Sequence, residues 1–88
     1  MEKKKTLSGY AIVIATHGWI FVGKCDIDKN WCVITGAKTI RVWGTKRGIG
    51  ELAENGPTES TKLDDGGVIR IPLASVVATL DTEESKWK

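Results

Sequence analysis

The segment GTKRGIGE, from Gly44 to Glu51, concentrates the chemistry of this chain. Three glycines and the Lys46-Arg47 pair follow Trp43 and lead directly into the helix formers Glu51, Leu52, Ala53 and Glu54. Glycine-rich backbone ahead of a helix turns several N–H groups toward one point, where the helix dipole favours an anion. The two cations add charge, and an indole offers its face to a base. Trp43, Thr45, Lys46, Arg47, Gly48 and Gly50 therefore form a candidate binding set for a nucleotide-like ligand. The segment is not a P-loop, because the Gly-Lys-Ser/Thr ending and the long following helix are missing. The plain alternative is a connector whose glycines serve turns and whose cations are solvated; motifs this loose recur by chance.

Other reactive residue types are sparse. His17 is the only histidine, and Cys25 and Cys32 are the only cysteines. One His and two Cys make no closed zinc site without carboxylate help, so no metal or cofactor is expected. Two reduced, packed thiols are expected, and a disulfide requires that the two face each other across a hairpin. His17 precedes Gly18 at a turn, and no nucleophile and orienting group stand near it in the chain. Asp64, Asp65, Glu51, Glu54 and Glu59 lack the spacing of a metal loop and read as solvated surface. The expectation is a protein that is not an enzyme.

The elements that must position these residues are mostly strands. Residues 10–16 are apolar on both alternating faces, the mark of a strand covered on both sides. Residues 19–25, 31–35, 68–71 and 76–80 read as further short strands, and 38–43 as either another strand or 31–35 resumed after a bulge or break at Gly36-Ala37. Turns are expected at His17-Gly18, at 26–30 and at Asp65-Gly66-Gly67, with a polar loop over 58–65. A single short helix is expected at about 49–55, closed by Gly56 and Pro57. The fold class is mainly β: a small SH3-like or Sm-like barrel of five or six short strands, with ring closure removing exposed edges. Residues 1–9 read as a flexible arm, 10–80 as a single small β-barrel domain, and 81–88 as a charged tail.

Four of the six aromatic residues are tryptophans, too many to bury together in 88 residues. At least one is expected at an interface, and Trp87 in the charged tail is the first choice. Trp19 and Trp31 flank the first hairpin and are candidates to pair across it.

Two resemblances carry further expectations. "IRVWGTKRGIGELAENGPTESTKLD", with its Trp-Gly-Thr, Gly-Ile-Gly-Glu-Leu and Asn-Gly-Pro elements in order, resembles a family of small proteins of phages, prophages and other mobile elements. That resemblance spans most of the chain and implies an accessory protein, without a chemistry to carry over. "HGWIFVGKCDIDKNWCVITGA" is similar to the first motif of Sm-like proteins, through Gly18, Gly23, Asp26, Asn30, Val33 and Ala37; "GGVIRIPLASVVATL" resembles the second. The Sm-like resemblance implies single-stranded nucleic-acid binding through Asp26, Asn30 and Arg70. Ile71 stands where that family has glycine after the arginine, and Lys29 where it usually has an apolar residue.

Length and charge bound the partners. The net charge is +2, with Lys and Arg in excess before residue 45 and acids in excess after it. This asymmetry admits an anionic partner without demanding one. The longest apolar run, Tyr10 to Ala15, is too short for a membrane span. No signal peptide is evident and a cytoplasmic location is expected. Taken together, the sequence points to a non-enzymatic phage or mobile-element binding protein, a homo-oligomer, that captures a nucleotide-like small molecule as a counter-defence protein or blocks a host protein. A single-stranded nucleic-acid binder and a structural adaptor are the alternatives.

Overall fold

A computed structural model describes residues 8–46 and 48–87. Five strands form one antiparallel sheet: β1 (Ser8–Ala15), β2 (Ile20–Ile27), β3 (Trp31–Val42), β4 (Lys62–Pro72) and β5 (Val76–Asp81), in the order β4-β3-β2-β1-β5. The fold is mainly β, with one short helix, α1 (Ile49–Asn55), between β3 and β4. Single 3-10 turns occupy Thr16–Gly18, Leu73–Ser75 and Glu84–Trp87.

The link between β4 and β5 forces the sheet to curl. These strands are its two edges, four strand spacings apart, or about 19 Å in a flat sheet. Pro72 and Val76 are joined by four Cα–Cα steps, which reach at most about 15 Å fully extended, and the link is a 3-10 turn. The sheet must bend until its edges approach. Ile69 and Ile71 of β4 then pack with Val76 of β5 in the same inner cluster. The curl is not completed by hydrogen bonds: among the described residues β4 pairs only with β3, and β5 only with β1. The expected closed ring is thus corrected to an open one. The chain between the edges is spent on a turn rather than on strand.

The double-sided pattern of β1 has a direct outcome. Ala11, Val13 and Ala15 face the inner cluster with Phe21, Cys25, Cys32, Ile34, Ala37 and Ile71. Ile12 faces a second cluster on the outer surface, with Ile20, Val22, Ile40, Leu52, Ala53 and Trp87. Helix α1 and the 3-10 turn at Glu84–Trp87 supply that outer cover. The Trp87 indole N–H donates to the Thr82 hydroxyl, which donates to the Ala53 carbonyl at the C-terminal end of α1. The Lys86 ammonium donates to the Glu54 carbonyl. Two carbonyls that α1 cannot satisfy internally are thereby satisfied. Trp87 is only 5% exposed, which overturns its expected place at an interface. Its position in a charged tail concealed the apolar surface of Ile12, Val22 and Leu52 that the tail returns to cover.

The bounds of β4 differ from expectation. Gly36-Ala37 bulges and β3 resumes after it as one strand of 12 residues, one of the two expected outcomes. Its length draws 62–65, expected as loop, into β4. Lys38 pairs with Asp65 and Arg41 with Asp64 as ion pairs along that ladder. Gly66-Gly67 is accordingly an irregularity inside β4 opposite Ala37, not a hairpin turn. Helix α1 spans the expected residues, and the Gly56 amide donates to the Leu52 carbonyl at φ 81°, as a C′ glycine does. His17 and Gly18 both have positive φ, 65° and 80°, at the expected first turn.

Candidate functional site

The Gly/Lys segment is bound largely to itself. The Thr45 hydroxyl donates to the Gly48 carbonyl, the Thr58 hydroxyl to the Gly44 carbonyl, and the Thr61 hydroxyl to the Trp43 carbonyl, each at 2.6 Å. Gly44 has φ 70°, and a Cβ there would lie 2.4 Å from the backbone of Ser60 and Thr61. The two ends of the excursion are thus clasped backbone to backbone. Gly48 lies under the Trp43 ring, with its Cβ position 3.6 Å from the indole. Trp43 is 41% exposed, Lys46 is exposed, and Gly50 lies on the exposed side of α1. Arg47 lies outside the described residues. The helix itself is anchored by Leu52 and Ala53 in the outer cluster.

Asp26, Asn30 and Arg70, the second candidate set, lie toward one end of the sheet. Asp26 and Arg70 sit on the strands either side of Val33 and are both registered opposite it. The Arg70 guanidinium lies over the Trp31 ring, 5.9 Å from its centroid, and Trp31 is 43% exposed. Asn30 belongs to the turn, where its backbone serves structure: its amide donates to Asp28 Oδ1 and its carbonyl accepts from Leu73. Asp28 also accepts the Trp31 amide. These two hydrogen bonds hold the Asp28 carboxyl below the usual aspartate value. Arg70 thus packs on Trp31, one tryptophan among four, which the sequence singled out only as a possible partner of Trp19.

A cleft that shares Arg70 with this second set lies between Trp19 and β4. It has a volume of about 440 Å³ and is lined by Ala15, Trp19, Phe21, Ile69 and Ile71, with Arg70, Thr16, Thr39 and Ser75 around it. Its volume is within the range of ligand pockets, about 300–1,000 Å³. Trp19 and Phe21 are two residues apart and so share a face. Their rings stack at 6.0 Å between centroids with planes 7° apart. Phe21 is buried beneath, while Trp19 is 57% exposed. Trp19 does not pair with Trp31 as expected, because the β2–β3 register puts the two at opposite ends of the hairpin. The spacing of Trp19 and Phe21 was a visible signal for one wall of the cleft. The facing wall, Ile69 and Ile71, comes from a strand some fifty residues later and was not.

Among the described residues no group of three His, Cys, Asp or Glu side chains is placed to hold a metal ion. No helix among them is long and apolar enough to cross a membrane. No family model, curated protein or solved structure matches this chain.

Proposed function

We propose that this protein is a non-enzymatic binding module, of the phage or mobile-element kind its sequence resembles, that blocks a host protein by gripping an extended segment of it in the cleft between Trp19 and β4. The observation that carries this is Trp19, an exposed indole stacked on buried Phe21 at the mouth of an apolar cleft. Tryptophans so placed are the usual anchors of protein interfaces. The β4 edge beside the cleft, paired only with β3 among the described residues, offers backbone N–H and C=O groups to an added strand, while the cleft takes its apolar side chain. The nucleotide-capturing form of the proposal, at Trp43 to Gly50, is the competing form. The hydroxyl of Thr45 and the carbonyls of Trp43, Gly44 and Gly48 are used within the excursion, while the amides that an anion would need are a separate set of donors.

Selection from a random peptide display library tests the proposal. Selected peptides should be extended and apolar, should shift the Trp19 indole resonance, and should lose at least tenfold in affinity for Trp19→Ala. Peptides that map elsewhere, or bind Trp19→Ala unchanged, sink it. A second copy of the chain is the competing occupant of the same edge, and light scattering over a concentration series decides between them.

Arg70 over Trp31 favours a second reading, a single-stranded nucleic-acid binder that stacks a base on Trp31 and contacts phosphate through Arg70. It requires binding that weakens with salt and is lost in Trp31→Ala. A flat gel-shift series at low salt excludes it.

A further inference from the structure

Beneath the Trp31 end of the sheet, Cys25 and Cys32 meet in a way that the binding role does not use. They lie in β2 and β3, on either side of the 28–30 turn. Cys25 is opposite Ile34 and Cys32 opposite Ile27, with the Asp26–Val33 rung between, so the two side chains meet diagonally on one face across two rungs. Both are fully buried in the inner cluster. Their sulfurs are 3.5 Å apart and share a hydrogen bond. A disulfide needs about 2.05 Å, so the sulfurs must close by about 1.5 Å. For a diagonal pair this closure takes backbone movement of the two strands as well as side-chain rotation. We infer that Cys25 and Cys32 form an internal dithiol that a low-molecular-weight disulfide closes to an intramolecular bond during local opening of the β2–β3 hairpin.

The step balances with glutathione disulfide as oxidant. One cysteine thiolate attacks a glutathione sulfur, breaking that S–S bond and expelling a glutathione thiolate. The other cysteine gives its proton to solvent and attacks the protein sulfur of the mixed disulfide, releasing the second glutathione. The protein loses two electrons and two protons, and glutathione disulfide gains them. Burial raises both thiols in the closed hairpin, which keeps them protonated there. With both sulfurs fully buried, the attack waits on local opening of the hairpin. Oxidation therefore reports on that opening, and the closed bond then suppresses it.

The test uses the full chain, folded, with excess glutathione disulfide at mildly alkaline pH. The intact mass should fall by two hydrogens, and digestion should give one peptide linked through Cys25 and Cys32. The melting temperature should rise by roughly 5 °C or more, and dithiothreitol should reverse both changes. Sub-denaturing urea should speed closure severalfold. Cys25→Ala and Cys32→Ala should each trap a glutathione adduct and give no linked peptide. Four results overturn the inference: stable glutathione adducts on the native sequence, disulfide-linked dimers, thiols that stay unmodified even in urea, or a lower melting temperature after closure.

Discussion

The excursion from Trp43 to Thr61 and the cleft beneath Trp19 invert what their compositions suggest. The excursion has glycines, cations and a helix start, the vocabulary of a ligand site, yet three of its threonine hydroxyls tie down three of its carbonyls and Leu52 roots it in the outer cluster. The cleft is built from plain strand residues, yet it leaves an indole open over a buried ring. Residue type describes what a segment could bind. Only the count of what it already binds shows what is left over.

This contrast is open to direct attack. The largest effect is expected from Leu52→Ala, which removes a fully buried side chain beneath the excursion. It should destabilise the protein by about 2–5 kcal/mol in denaturant unfolding. A loss below about 1 kcal/mol would mean that the excursion is not anchored.

Gly44→Ala comes next. Its Cβ would overlap the Ser60 and Thr61 backbone at 2.4 Å and would also meet a left-handed φ, for about 3 kcal/mol. Gly36→Ala has a similar φ, 61°, and nothing within 4 Å of its Cβ, so only the conformational part, about 1 kcal/mol, should appear. Equal costs for the two would show that the clasp at Gly44 is loose.

Trp19→Ala should cost about 1–3 kcal/mol of stability, since a little under half of the residue is covered and it shields Phe21. It should still cost at least tenfold in peptide affinity. Lys46→Glu should leave that affinity unchanged, and the reverse pattern would return the binding role to the excursion.

Smaller effects concern pH. Burial first, then the Cys32 contact, push the Cys25 thiol up to about 12 in the folded chain. A folded value above the unfolded one, about 8.5, gives stability that is complete below the unfolded value. It declines as pH rises through that window toward the folded value. Cys25→Ala should flatten this alkaline decline in pH-dependent melting.

Smallest of all is the acid limb. The Lys38 ammonium holds the Asp65 carboxyl below its usual range, first by hydrogen bond and then by charge. A lowered folded value gives stability present above the ordinary aspartate value and lost as pH falls through the folded one. Asp65→Asn should remove only a slight part of acid sensitivity, because the pair is at the surface.

Local chemistry was legible along much of the chain. The bounds of α1 followed from Gly56 and Pro57, and the turn at His17-Gly18 from the one residue type that needs no penalty for positive φ, beside one that bears it. The two-sided strand at 10–16 was legible because its alternation left no polar face for water. The extent of β4 was not, because Asp64 and Asp65 look like loop until Arg41 and Lys38 stand opposite them. Nor was the burial of Trp87, whose neighbours in sequence are charged and whose neighbours in space are not.

The sequence by itself determined the strands, the helix, the first turn and the mainly β class, since these rest on periodicity and on backbone preferences a few residues long. Tertiary structure alone decided that the curl stops short of a ring, that Ile69 and Ile71 face Trp19, and that two thiols seven residues apart touch. These facts depend on register and on a three-residue link between opposite edges. Such long-range distances are summed over the whole sheet and are carried by no single stretch of the chain.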